Sequence, residues 1–382
     1  MKILVATPIY PPEIGGPATY AKELAKHLHE KHNITIVAYT DVRGPFPGTK
    51  LIAVSKKKPL PVRLVKFFLA VWKASQWCDL IYVQNAMAAG LPVALVSIFR
   101  KKPFVLKFVG DEAWERATQH KLIDSRLEEF LEHPSGGLKI RLMMMVQGFV
   151  LRRASIVITP SKYLGQAIEK AYGINPSRVV TNYNATEDTE KLPFEPTRVR
   201  HQIMTTARLV AWKGVRGIIE GVRILKQRYP DIRLMIAGDG PEMSDLQSLS
   251  QKLDVRDEVI FLGKVSRAET WRLRKNSEVY VLNSTYEGLP HTVLTSFAAE
   301  IPVVATNIPG TNEAVYGEDT GLLVEPEHPE EVARAIERLF EDEALRKRLV
   351  LNGKKLLENK FSWQTHIENL ESIFRNAISQ AK

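Results

Sequence analysis

One cysteine, Cys78, stands in 382 residues. That excludes an internal disulfide and a cysteine-rich metal cage, and it fits a reducing compartment. No apolar run reaches the ~18 residues of a membrane-spanning helix. The opening MKILVATPIYPP carries an apolar run too short for a signal peptide, with prolines directly behind it. The expectation is a cytoplasmic protein. Also absent are a GxGxxG fingerprint, a GK[ST] phosphate loop, an Asp-x-Asp pair and any His/Cys cluster at ligand spacing. The first argues against a nicotinamide oxidoreductase, the second against a Walker-type nucleotidase, and the last two against a bound metal. Internal repeats and low-complexity tracts are missing too.

Acid is scarce in one region. Residues 1–110 hold 16 Lys or Arg against 5 Asp or Glu, while the whole chain is +10. Within that region KKKPLPVRLVKFFLAVWKA, from Lys56 to Ala74, is the densest piece. At helical spacing Arg63, Lys66 and Lys73 share one face and Val65, Phe68, Leu69 and Trp72 another. Such a helix suits an anionic membrane surface; a surface helix with solvated lysines is the plainer account. No recognised nucleic-acid motif accompanies the charge, so no nucleic-acid partner is expected.

The chain is 45% hydrophobic and 25% charged, as folded soluble proteins are, and its length predicts two domains. Short β-branched runs alternate with helical spacing from end to end: KILVATP, NITIVAYT, CDLIYVQN, KPFVLKFVG and ASIVITPS, then HQIMTTARL, IRLMIAGDG, VIFLGKV and EVYVLNS. Alternation of this kind predicts parallel sheets covered by helices on both faces. The polar, acidic stretch Asn184–Pro196 reads as a linker. The fold class is α/β, with two open domains facing a cleft at the carboxyl ends of their strands.

Four loops would face that cleft. In PIYPPEIGGPATY, Gly15 and Gly16 precede the first helix, where backbone N–H groups approach a phosphate; a plain glycine turn accounts equally well for them. In TARLVAWKG, Arg208 ends a strand and Lys213 follows five residues later. A planar guanidinium and a point charge suit a diphosphate, and Trp212 and Gly214 make the loop look shaped rather than merely solvated. AGDGPE is a tight turn. In YEGLPHTVLTSFAAEIPVVAT, Glu287 precedes a helix starting near His291, whose N-terminus offers N–H donors to an anion. The carboxylate would instead accept from hydroxyls.

These motifs together resemble the retaining glycosyltransferases of family four, which have the GT-B fold of two Rossmann-like domains. The resemblance spans almost the whole chain in order: PIYPPEIGGPATYAKELAKHL, SIVITPSKYLGQAIEKAYGINPSRVVTNYNATE, ARLVAWKG, LMIAGDGPE, VIFLGKV, STYEGLPHTVLTSFAAEIPVVATNIPGTNEAV and NKFSWQTHIENLESIF. It implies an N-terminal acceptor domain over residues 1–190 and a nucleotide-sugar donor domain over 197–362. A C-terminal helix over 363–382 would cross back onto the first domain. It implies transfer of a sugar from a nucleotide diphosphate donor to a hydroxyl of a saccharide or lipid-linked acceptor, without a metal or other cofactor. By the same resemblance Arg208 and Lys213 clamp the diphosphate and Glu287 binds the transferred sugar. Gly16 contacts the phosphates, Val265 offers backbone groups to the base, and N–H groups from Gly288, Leu289, His291, Thr292 and Val293 line the phosphate.

Two positions depart from the family's pattern. The second acid of its Glu-x7-Glu signature, which holds the ribose, is here Thr295. A hydroxyl lacks the charge and the bidentate reach, so donor binding should lose on the order of 1.5–3 kcal/mol. Glu300 replaces a usual glycine but lies five residues on, roughly 7.5 Å along a helix axis. Where the family often carries a histidine, this chain reads VGDEAWERA. There Asp111 and Glu112 stand as candidates for acceptor or sugar contact, with a helix cap as the plain alternative. The retained clamp predicts an active enzyme; a catalytically degenerate sugar-nucleotide-binding protein is the alternative.

Overall fold

The computed structural model describes residues 1–13, 16–42, 44–186 and 197–381. The chain divides into two compact units, Met1–Asn182 with everything from Gln364 onward, and Tyr183–Trp363. Of the expected linker Asn184–Pro196, residues 187–196 lie outside the described residues.

The first unit runs β1 (Lys2–Thr7), α1 (Gly16–Leu28), β2 (Asn33–Tyr39), β3 (Thr49–Val54), α2 (Leu60–Ala74) and β4 (Leu80–Gln84). It continues with α3 (Gly90–Arg100), β5 (Phe104–Lys107), α4 (Glu112–Gln119), α5 (Leu127–Glu132) and α6 (Leu138–Arg153). Then come β6 (Ile156–Thr159), α7 (Lys162–Tyr172) and β7 (Val179–Thr181). The seven strands are all parallel, in the order β3-β2-β1-β4-β5-β6-β7. β4 shows why. Its LIYVQ is buried at every position, as a strand with helices on both faces must be. Each such aliphatic side chain contributes about 1.5–3 kcal/mol by leaving water.

The second unit repeats the plan. Its strands are β8 (Gln202–Thr206), β9 (Arg233–Ala237), β10 (Val259–Gly263), β11 (Val279–Leu282), β12 (Val303–Thr306) and β13 (Leu322–Val324). Its helices are α8 (Val215–Leu225), α9 (Met243–Lys252), α10 (Arg267–Asn276), α11 (His291–Ala298), α12 (Pro309–Asn312), α13 (Pro329–Glu341) and α14 (Glu343–Lys360). The six strands are again parallel, ordered β10-β9-β8-β11-β12-β13. Alternate residues of β11 feed separate cores. Val279 and Val281 join Ile203, Ile219 and Ile336, whereas Tyr280 and Leu282 join Met204, Val293 and Phe297. α13 buries Val332, Ile336 and Leu339 at helical spacing and places Glu330 and Glu331 in its first turn, where the helix end is positive.

α15 (Trp363–Ser379) carries the chain back to the first unit. Its Phe374 ring meets Tyr82 at 5.2 Å, His366 Nε2 lies 2.6 Å from the Tyr20 hydroxyl, and Glu371 Oε1 lies 2.8 Å from His32 Nε2.

Each unit is a Rossmann-like sheet whose strand order reverses once, between β1 and β4 in the first and between β8 and β11 in the second. Ligands of such sheets sit outside the carboxyl ends of the strands at that reversal.

Candidate active site

In the second unit the reversal is where the predicted charges are. Arg208 lies two residues past the end of β8 and Glu287 five past the end of β11. The backbone around Arg208 is tied down on both sides. Leu209 N donates to Asp239 O at 3.0 Å, and Glu242 N donates to Leu209 O at 3.1 Å. Leu209 is fully buried while Arg208 is exposed. The apolar neighbour anchors the loop and the guanidinium projects from it. A Cβ on Gly240 would stand 2.2 Å from Leu209 O, so the AGDGPE turn is a packing device for this loop.

After Arg208 the chain makes a single 3-10 turn, Ala211–Lys213, closed by Gly214 at φ +59°. Lys213 Nζ donates to Glu287 Oε1 at 2.6 Å, and Ser284 Oγ donates to the same oxygen at 2.7 Å. Glu287 is 8% exposed. At that burial Glu287 depends on Lys213, because removing the lysine leaves the carboxylate in a low dielectric without an opposite charge. Two further bonds lock the loops in register: Thr285 N donates to Trp212 O at 2.8 Å, and Asn283 Nδ2 donates to Gly214 O at 2.9 Å. Gly310, which precedes the middle of α12, lets the Glu287 carbonyl approach so closely that a Cβ would lie 1.8 Å from it. Asn283, Ser284 and Gly310 were not singled out by the sequence. A polar Asn-Ser-Thr run directly after a β-branched strand, and the Pro-Gly of NIPGTNEAV, were the available signals.

Gly288 and Leu289 are buried, and His291 opens α11, whose N-cap Pro290 supplies no side-chain cap. The first N–H groups of that helix therefore have no side-chain acceptor at the N-cap position. Thr292 is half-buried. Val265, just past the end of β10, is half-buried against the core that contains Val293. Thr295 is half-buried on α11. Its hydroxyl lies 3.0 Å from Thr292 O and 3.2 Å from His291 O, so its proton goes back to its own helix. Glu300 sits at φ +58° in the turn to β12, the left-handed position a glycine fills without strain, and its carboxylate pairs with Lys354 at 2.9 Å.

In the first unit Gly16 opens α1 with nothing within 4 Å of where a Cβ would be. Gly15 lies outside the described residues. Asp111 does not present a free acid. It is wholly buried and caps α4, accepting from Trp114 N at 2.9 Å and Gln147 Nε2 at 2.6 Å, and from the Tyr172 hydroxyl. With both oxygens taken it has the cap role, because a buried carboxylate needs those donors for itself. Burial nevertheless raises its pKa. Glu112 is likewise occupied, accepting from Asn85 Nδ2 at 2.7 Å. A cation the sequence did not flag lies nearby in chain. Lys107 ends β5, its Nζ has no hydrogen-bond partner among the described residues and stands 3.9 Å from the Tyr20 ring centre, and burial lowers its pKa to about 7. Among the described residues no group of three or more His, Cys, Asp or Glu could hold a metal ion.

Comparison with known proteins returned concordant findings. The profile of the family described as glycosyl transferases group 1 matches residues 188–356, and that of glycosyltransferase family 4 matches residues 14–190. An uncharacterized glycosyltransferase of Methanocaldococcus jannaschii, MJ1607, is 28% identical over 99% of both chains. Among solved structures, Alr3699/HepE of Anabaena in complex with UDP superimposes with a TM-score of 0.74 at 19% identity, covering 98% of this chain and 100% of its own. Sucrose-phosphate synthase of Thermosynechococcus elongatus gives 0.77 at 18% identity, with both chains fully covered. At those identities the structures speak for the fold.

Proposed function

The chain belongs to the group 1 glycosyltransferases, and from that premise we propose a metal-independent, retaining transfer of a sugar from a nucleoside diphosphate donor to a hydroxyl. The observation that carries this reading is the Lys213–Glu287 pair at the reversal of the second sheet, with the exposed Arg208 on the same loop after β8 as Lys213. As the glycosidic bond breaks, negative charge grows on the departing diphosphate. Arg208 and Lys213 supply fixed positive charge there, which is the role a metal would otherwise fill. Glu287, already an acceptor for Ser284 and Lys213, keeps lone pairs for hydroxyls of the transferred sugar. Retention of configuration rests on the family resemblance.

The donor reading is supported by HepE, whose structure is known with UDP and also with UDP-glucose. Thermal shift with UDP-, GDP- and ADP-sugars tests it, since a bound donor raises the melting temperature by mass action. One base should stabilise the chain and the others not; no shift with any of them would overturn the donor assignment. Metal independence has its own test. Turnover is expected to be unchanged in EDTA, and loss of activity restored by magnesium or manganese would mean that Arg208 and Lys213 are not the charge-stabilising groups.

Thr295 makes a third test. Thr295→Glu is expected to tighten donor binding about tenfold, because a carboxylate can accept both ribose hydroxyls, where Thr295 donates its proton to Thr292 O. Calorimetry showing equal or weaker affinity would mean that the ribose is held elsewhere.

For the acceptor side we propose a saccharide or lipid-linked hydroxyl, met at an anionic membrane surface on the cytoplasmic side. The support is the basic excess of residues 1–110 and the single buried cysteine. No helix among the described residues is long and apolar enough to cross a membrane.

A further inference from the structure

Three helices of the first unit, α2, α3 and α6, pack in succession, α2 on α3 and α3 on α6. None contains an aspartate or glutamate. Their cations are Arg63, Lys66 and Lys73 on α2, Arg100 on α3, and Lys139, Arg141, Arg152 and Arg153 on α6. Each helix buries its inner residues in the ordinary way: Phe67 and Val71 on α2, Val93 and Val96 on α3, Ile140 and Val150 on α6.

The outer faces are unusual. Val65 and Leu69 on α2, Ile98 and Phe99 on α3, and Leu142 and Met145 on α6 are all exposed, Phe99 and Met145 to 68% each. Scattered exposed aliphatics are normal on a soluble protein. Exposed apolar side chains on three successive acid-free helices, with Trp72 of α2 touching Phe99 of α3, are not, and they mark an interaction surface. The α2 stripe is also braced. Phe68 stacks on Trp72 at 5.7 Å, Trp72 meets the Phe99 edge at 6.2 Å, and the Arg100 guanidinium lies 4.0 Å over Trp72.

We propose that this three-helix face inserts its apolar side chains into the interface of an anionic lipid bilayer, with its lysines and arginines on the phosphates. The proposal rests on the membrane-surface reading above and goes beyond it: the attachment is apolar insertion as well as charge. Charge chooses the occupant. Two copies of this face would set cations against cations, which opposes self-association. A bilayer offers hydrocarbon to the stripes and negative charge to the flanking bases in one plane. Arg and Lys stems lie along the apolar layer while their heads reach the phosphates.

The experiment is co-sedimentation of the full chain with phosphatidylcholine vesicles and with mixed phosphatidylcholine–phosphatidylglycerol vesicles, at low and at about 0.5 M salt. Binding to the anionic vesicles is expected to fall with salt but persist. Leu69→Asp with Phe99→Asp, and separately Leu142→Asp with Met145→Asp, are each expected to lower the salt-resistant bound fraction roughly tenfold. All four positions are exposed, so melting temperature and donor binding should stay at the parental values. Brominated lipid should quench tryptophan emission of the parent and not of the Leu69/Phe99 variant. Binding that vanishes at high salt and ignores these substitutions would overturn insertion while leaving the electrostatic contact. A dimer that the Leu69→Asp, Phe99→Asp variant dissolves would assign the face to a second copy and overturn it also. Sugar transfer to a soluble acceptor is measured separately, so a parental chain that transfers sugar yet binds neither kind of vesicle would count against insertion alone.

Discussion

Alanine at Arg208 or at Lys213 is expected to cut turnover by about 10²–10³ each, the range seen when a group stabilising charge on a leaving or attacking atom is removed. The two variants should differ in a second measurement. Arg208 is exposed beyond a buried anchor, Leu209, so Arg208→Ala should leave the melting temperature near that of the parent. Lys213 holds the 8%-exposed Glu287 through a 2.6 Å bond. Lys213→Ala therefore leaves a carboxylate in the protein with Ser284 as its remaining named partner, and the second unit should melt lower as well. Steady-state kinetics beside calorimetry separates the cases. Near-parental turnover in both variants would sink the charge-stabilisation role, whatever the melting temperatures do.

Much of the architecture was legible in the sequence, for one physical reason. Strands buried on both faces read as continuous β-branched runs, and β1, β2, β4, β5, β6, β8, β9 and β11 stood out in that way; β10, an edge strand buried only at Val259, was legible from its apolar VIFLG. The strands that did not stand out are β3, β7 and β13, each at the edge of its sheet. β7 has only three residues, all half-buried, so neither length nor apolarity distinguishes it from loop. An edge strand is bounded on one side by another strand and on the other by solvent or a helix, and its composition records that mixture.

The site divides along a similar line. The groups proposed to act through charge announced themselves by type and spacing: Arg208, Lys213 and Glu287 could be read one by one. That Lys213 and Glu287 touch could not, because 74 residues separate them and only the β8–β11 adjacency brings them together. Groups that act through backbone geometry stayed silent. Gly310 carries no chemistry, and Asn283 works by giving an N–H to the Gly214 carbonyl. Asp111 was ambiguous for the opposite reason. An acid before a helix is both a plausible catalyst and an ordinary cap, and only the positions of Gln147 and Tyr172 decide that its oxygens are already in use. The α6 stripe was hidden by the helix's own composition. LKIRLMMMVQGFVLRR is apolar almost all round, so the sequence gives no sign that Leu142 and Met145 face water.

Gly310→Ala is the second change expected to have a large effect. The obstacle is steric rather than conformational. Gly310 lies in α12, where alanine's backbone preferences are satisfied, but its Cβ would come to 1.8 Å from Glu287 O, 2.7 Å from Glu287 C and 3.2 Å from Gly288 O. Those are backbone atoms and cannot rotate aside. Either α12 or the Glu287–Gly288 loop has to move by an ångström or more. Overpacking of this kind costs about 3 kcal/mol, which in a unit of this size lowers the melting temperature by roughly 6 °C or more. If the loop is what moves, Glu287 leaves its place against Lys213, and misplacement on that scale costs about 10²-fold in rate. Gly173→Ala is the control. Gly173 caps α7 at φ +61° with nothing within 4 Å of a new Cβ, so the penalty there is the left-handed backbone alone, about 1 kcal/mol, in the other unit, with turnover unchanged. Calorimetry and steady-state rates on the pair decide the matter. If Gly310→Ala melts and turns over like Gly173→Ala, the close approach of α12 to the Glu287 carbonyl is not what holds the carboxylate on Lys213.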